Sequence, residues 1–247
     1  MSRWKAALIH LSISVAVGAL ALALFLLVWY PPPYFHAAGA DTLAILMVGV
    51  DITLGPLITL VIFRSGKPGL KFDLVVIALL QAGALIYGSY IVAASRPVFL
   101  VAAVDRFKLV SAADLDPADL AAARDDQFRT LSWTGARLVG VAMPTEPNEA
   151  RDLMFSGAGG KDIEKYPKYF INYDTGAEAF LKAGKTMDEL RRKHPESGAL
   201  IDAAVHAGGG NESDLVWFPL TAREHDLVML VSTHTRQPVK AIAVDPW

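Results

Sequence analysis

The sequence predicts a membrane α-helical N-terminal part with three transmembrane helices, N-terminus in the cytoplasm and C-terminus outside it, followed by an extracytoplasmic α+β domain. Three observations predict this. Hydrophobic residues make up 53% of the chain and charged ones only 19%, where ordinary soluble domains carry nearer ~25% charged. Three long apolar runs, Ala6–Tyr30, Leu43–Phe63 and Leu74–Val92, sit in the first third, while the charges gather after Arg96. The basic residues are distributed unevenly among the intervening loops. The boundary is drawn at 95/96, giving a membrane region over 1–95 and a folded domain over 96–247.

The first run follows a short basic start, Arg3 and Lys5, and contains no charge. It exceeds the roughly 7–15 apolar residues of a secretory signal core, and no small-residue cleavage site follows, so it is expected to stay as a helix. Trp29-Tyr30 form an aromatic collar suited to a membrane boundary, and Pro31 to Pro33 stop the helix. The second run, with roughly 20 apolar residues at 1.5 Å rise, spans a bilayer. The turn after it holds Arg64, Lys67 and Lys71, against no Lys or Arg from Pro31 to Thr42. Basic residues favour the cytoplasmic side, which puts the N-terminus and the 64–72 turn inside and everything from Ser95 outside.

Beyond Arg96 the pattern changes. Val98–Val104 reads as a first strand, and Asp116-Pro117 opens a helical stretch through Phe128 with Asp116 as N-cap. Arg137–Met143 reads as a strand, Glu146–Phe155 as a helix, and Gly157–Gly160 as a loop. Thr186–Lys193 and Ser197–His206 read as short helices, the second ended by Gly208–Gly210. Three strands close the chain, Leu215–Leu220, Leu227–Thr233 and Val239–Val244, with a turn at His234–Pro238. Strand order does not follow from these patterns.

Asp51 is the sharpest candidate for function. A carboxyl in mid-span costs about 2.5–3.5 kcal/mol even on the lenient insertion scale, so it faces protein rather than lipid. Asp51, Gly55 and Thr59 recur at i, i+4 and i+8 on one helix face, and Gly55 admits a close backbone approach. Counted from the cytoplasmic side, Asp51 lies roughly 18–20 Å deep, level with Tyr87 and deeper than Gln81. Two readings stand: a structural carboxyl, protonated or hydrogen-bonded to Tyr87, that fixes the three-helix packing, or the docking point of a partner helix in the membrane. Lys67, Pro68, Gly69, Lys71 and Asp73 form a tight cytoplasmic turn whose bases hold topology and touch anionic headgroups.

Other chemistry finds no residue set. There is no cysteine, which excludes thiol catalysis and disulfides. The six histidines show no metal-binding spacing, no serine sits in a nucleophile elbow, and the glycine clusters lack a phosphate loop's Lys-Ser/Thr. A net charge of −2 gives no electrostatic case for nucleic acid. No cofactor and no enzymatic activity are therefore expected, and a single mid-span carboxyl is too little for a transport path.

Several stretches together carry a resemblance. They are Arg3–Ala6 leading to Ile9–Ser12, Trp29–Pro31 with Pro33–Phe35, Gly49–Asp51 with Leu54–Leu60, Gly66–Leu74, Ala78–Gln81, Tyr87-Gly88, Arg96–Val98 and Ala103–Phe107. The chain resembles the type IV pilin accessory proteins of the TfpX/TfpZ type, densely from Arg3 to about Val110 and more loosely beyond. The resemblance implies an inner-membrane protein with its last domain in the periplasm, working as an accessory factor or chaperone for its cognate major pilin. It implies support of pilin stability, pilus assembly or the balance with retraction, possible contact with other pilus-assembly proteins, and no catalytic residues. The alternative is a membrane-anchored periplasmic sensor or ligand-binding module, which calls for a pocket of several hundred Å3.

Overall fold

The computed structural model describes residues 1–247 and separates into two compact units: 1–35 with 39–95, and 36–38 with 96–247. The first unit is helical. Helix α1 (Arg3–Leu24) starts at Ser2, whose hydroxyl accepts from the Lys5 N–H at 3.3 Å, and runs into a π-helical turn at Phe25–Trp29. A short helix α2 (Tyr34–Ala37) follows the prolines, then α3 (Ala40–Ile62) and α4 (Leu70–Ser95). The helices Arg3–Trp29, Ala40–Ile62 and Leu70–Ser95 are each long and apolar enough to cross a membrane. Helix α3 packs against both α1 and α4. Tyr30 turns inward rather than toward solvent: it is fully buried, and its hydroxyl donates to the Val92 carbonyl at 2.7 Å.

The second unit is built on an eight-stranded mixed sheet. Its strands are β1 (Pro97–Ala103), β2 (Arg106–Ser111), β3 (Arg137–Val141), β4 (Phe170–Asn172), β5 (Lys185–Thr186), β6 (Leu215–Thr221), β7 (Leu227–Ser232) and β8 (Pro238–Ile242). Their order is β4-β3-β1-β2-β6-β7-β8, with β5 paired to β6. The β1/β3 and β2/β6 pairs are parallel and the others antiparallel. Five helices complete the unit: α5 (Pro117–Ala121), α6 (Pro147–Ala158), α7 (Tyr173–Leu181), α8 (Met187–Lys193) and α9 (Gly198–Ala207).

Two apolar clusters hold this unit. Phe99, Val101 and Val139 pack with Phe128, Leu153 and Phe170, while Trp217, Leu230 and Ile242 pack with Leu190, Ile201 and Val205. Phe107 joins the halves by edge-on contacts with Phe180 at 5.0 Å and Phe218 at 5.8 Å. The short segment from the first interhelical loop belongs here too. Its Ala37 carbonyl accepts from the Glu224 and His225 N–H groups at 3.0 and 3.2 Å, and the His36 and His225 rings stack at 4.3 Å.

Several expectations change. The helix drawn from Asp116 to Phe128 is the single turn of α5 followed by a 3-10 turn at Asp126–Phe128. Asp116 makes no cap hydrogen bond; its carboxylate instead accepts from Lys161 Nζ at 3.0 Å. Helix α6 extends through Ala158, so the Gly157–Gly160 loop shrinks to a turn. The last strand is Pro238–Ile242, two residues shorter at its end than expected, and α4 begins a full turn before Leu74. Strands β2, β4 and β5 and helix α7 have no counterpart among the expected elements.

Val104 lies in the turn between β1 and β2 with φ +56°, a position that suits glycine and penalises a β-branched side chain. Such strain costs about 1–3 kcal/mol. Val104→Gly is accordingly expected to stabilise the domain by about 1 kcal/mol, read as a higher unfolding midpoint of the purified full-length protein; a lower midpoint contradicts it.

The domain's surface ion pairs set its acid response. Lys168, with help from Tyr169, holds the Glu149 carboxyl below its usual range, and Lys161 does the same for Asp116. Carboxyls depressed in the folded state stabilise it above their unfolded pKa values, about 4, and that contribution is lost as pH falls through the lower folded values. The unfolding midpoint is expected to be flat from about pH 7 to 5 and to drop below about pH 4. Lys168→Met should make that drop smaller; an unchanged drop contradicts the assignment.

Candidate functional site

Helices α3 and α4 meet around Gly55. A Cβ at that position would overlap the Gln81 carboxamide, so the missing side chain at residue 55 is what makes room for Gln81 of α4 against α3. Gln81 Nε2 then donates to Asp51 Oδ1 at 2.7 Å and lies 3.3 Å from the Asp51 carbonyl. Pro56, which follows, has no N–H for the Ile52 carbonyl, so Gln81 adds a cross-helix tie where the helical ladder is interrupted. Gly88 repeats the device one level away, fitting against the Met47 side chain.

The Tyr87 hydroxyl is not the partner of Asp51, contrary to expectation; Tyr87 is 68% exposed. The physical reason is register. Helix α4 starts at Leu70, one turn earlier than the apolar run suggests, and Asp51 and Gln81 are each eleven residues from the turn joining the helices. Antiparallel helices leaving one tight turn place residues of equal count at equal depth. Thr59 also differs from expectation: it is buried, and its hydroxyl pairs with His10 Nδ1 of α1 at 2.6 Å. Gly55 and Thr59 are thus spent on packing within the chain, toward α4 and α1 respectively.

What remains open is beside them. A groove of about 840 Å3 runs between α3 and α4, walled by Leu46, Met47, Leu54, Ile58, Val76 and Leu80, with Asp51, Gln81 and Tyr87 along it. No residue of α1 lines it. Its α3 wall extends from Leu43 to Ile62, about 29 Å at 1.5 Å per residue, close to the ~30 Å thickness of a bilayer's hydrocarbon core. The lining is mostly apolar; Asp51 and Gln81 supply polar atoms near mid-length, Tyr87 lies along it, and Asp73 closes the end beside the 64–69 turn. Sequence reasoning found Asp51 but not the groove, because its residues are ordinary leucines and valines. Gln81, a polar residue at i+11 from a helix start facing an Asp at the matching count, was the signal that could have found the pair.

The turn at the end of α3 is built as its residues suggest. Gly66 and Gly69 adopt φ +80° and +78°, Lys67 N–H donates to the Arg64 carbonyl, and Lys67 Nζ pairs with Asp73 at 2.6 Å. Pro68 sits between the glycines, and Lys71 is exposed in the first turn of α4.

Fold and groove together define a class: a bundle of three helices of membrane-crossing length, with a long, mostly apolar groove on one side, carrying a separate mixed-sheet domain. The comparisons give the family. The model of the fimbrial assembly protein FimB matches residues 1–39. A fimbrial assembly protein of Dichelobacter nodosus serogroups C1 and C2 is 36% identical over 110 residues, 83% of that protein and 43% of this chain. Those of serogroups I and E1 are 27% and 28% identical over 246 residues, in each case 97% of this chain and 94% of the relative. The chain belongs to the fimbrial assembly protein family. No solved structure matches it.

Proposed function

We propose that this protein is a non-enzymatic accessory factor for pilus assembly in the bacterial inner membrane, and that its α3–α4 groove holds the apolar helix of an unassembled type IV pilin subunit. Its relatives are named fimbrial assembly proteins, which supports the pilus role. The observation that carries the groove reading is a slot as long as a bilayer is thick, mostly apolar, with the Asp51–Gln81 pair near mid-length. Lipid tails are as apolar as the groove walls, so a helix is preferred over lipid through close packing and hydrogen bonding rather than through hydrophobic transfer. Asp51 and Gln81 supply that hydrogen bonding.

The basic residues at the N-terminus and in the 64–71 turn favour a cytoplasmic location for both, and so a periplasmic location for the 96–247 domain. In that orientation the domain contacts the subunit's globular part while the groove holds its helix, and the covalent link between the two sites raises overall affinity. A sensor role gains no specific support. The domain's pocket of about 290 Å3, beside Val104, Met143, Tyr173 and Phe180, falls at the lower end of ligand-site sizes and has an apolar lining.

The Asp51 position tests the reading. Asp51→Asn keeps an oxygen that accepts from Gln81, so pilin co-purifying with the tagged protein in mild detergent should stay near the native amount. Asp51→Leu removes it and should lower co-purified pilin about tenfold, for roughly 1–2 kcal/mol of lost intramembrane hydrogen bonding. Equal pilin recovery with both variants, at equal protein level, would sink the proposal.

A further inference from the structure

The corner of the domain that carries Trp133 follows directly on a membrane helix in the chain. The 22 residues from Leu74 to Ser95 contain no Asp, Glu, Lys or Arg. They extend about 33 Å as a helix, slightly more than the ~30 Å hydrocarbon core, so Ser95 ends in the headgroup layer when α4 crosses a bilayer. Arg96 is one residue further, about 3.8 Å of chain.

Arg96 does not reach out into solvent. It is 5% exposed, its Nε donates to the Ser132 carbonyl at 3.0 Å, and its guanidinium lies 3.9 Å from the centre of the Trp133 ring. The loop bearing Trp133 is held from behind as well. The Arg137 guanidinium donates to the Gln127 and Thr130 carbonyls, and Arg129 Nε donates to the Ala123 carbonyl at 3.2 Å. Gly135, at φ +95°, turns the chain back into β3. This bracing fixes a loop whose most prominent side chain, Trp133, remains 62% exposed.

An indole held in place, largely exposed, and stacked on the first residue after a membrane helix has the chemistry of a headgroup-level anchor. Tryptophan's ring is apolar and its N–H polar, which suits it to the boundary between acyl chains and water. We propose that Trp133 inserts into the lipid headgroup layer at the end of α4 and, through Arg96, fixes the start of the domain to the membrane surface. The proposal rests on α4 crossing a bilayer and is independent of which protein fills the groove.

The absence of cysteine makes the test direct. Single-cysteine full-length proteins, Thr134→Cys beside the indole and Gln237→Cys as a half-buried site elsewhere in the domain, are labelled with an environment-sensitive fluorophore. They are reconstituted in phosphatidylcholine vesicles carrying a quencher near the headgroup. Quenching at position 134 is expected to lower emission about twofold, with little change at 237. Trp133→Ser in the Thr134→Cys background should remove the quenching, and Trp133→Tyr should restore most of it. Position 134 quenched no more than 237, or quenching unaffected by Trp133→Ser, would overturn the proposal. Leu80→Cys, quenched by lipid labelled deep in its acyl chain, checks separately that α4 is in the bilayer.

Discussion

Gly55→Leu is expected to reduce surface piliation more than tenfold. The new side chain must occupy the space of the Gln81 carboxamide, which forces α3 and α4 apart or expels Gln81. Overpacking of this kind costs about 1–3 kcal/mol, and loss of the Gln81–Asp51 hydrogen bond adds about 0.6–2 kcal/mol in a membrane. Both losses fall on the walls of the groove. A milder pair separates the two terms: Gly55→Ala should be impaired, and adding Gln81→Ala should recover close packing without recovering the hydrogen bond. Membrane levels of each variant and pilus counts are the readouts. Native piliation with Gly55→Leu at native protein level would mean that the helices do not meet as described.

Trp217→Ala should unfold the β6-β7-β8 half of the sheet. The indole is fully buried, its Nε1 donates to the Thr186 carbonyl at 3.0 Å, and Lys185 Nζ lies 4.6 Å from the ring centre. Removing a buried tryptophan costs about 3–5 kcal/mol, a large share of the 5–15 kcal/mol of a typical domain. The hydrogen bond ties β6 to the β5–α8 junction, so protease sensitivity should appear first around Lys185–Lys193. Trp217→Phe keeps most of the volume and should retain resistance. Resistance equal to native in Trp217→Ala, measured on the full-length protein, would contradict this assignment of the second core cluster.

The three apolar helices were legible because nothing but a long charge-free run is needed to define them. Strands such as Leu227–Ser232 were legible too, being short continuous apolar runs bounded by turn residues. Residues whose roles depend on a partner were not. Strand β2, RFKLVS, mixes charge with apolar residues because it is central yet half covered, and β4 and β5 are too short to show a period. Helix α7 did leave a signal, Asn172 as N-cap followed by Tyr173, Ala177 and Phe180 on one buried face. In the helical unit, the stripe of Asp51, Gly55 and Thr59 marked positions of close packing, with Gly55 meeting α4 and Thr59 meeting α1. The partner of Asp51 was not legible, in part because α4 starts one turn before its charge-free run and this shifts the residues that face α3.

Site-specific photo-crosslinking in the native host tests the central claim most directly. A photoreactive residue at Leu80, which lines the groove and is 70% exposed, is compared with one at Leu20, 74% exposed on α1 and outside the groove. The groove reading predicts one dominant adduct to the pilin subunit at Leu80 and little or none at Leu20. Equal pilin adducts at both positions, or an adduct at Leu80 to a different protein with no pilin, would contradict it.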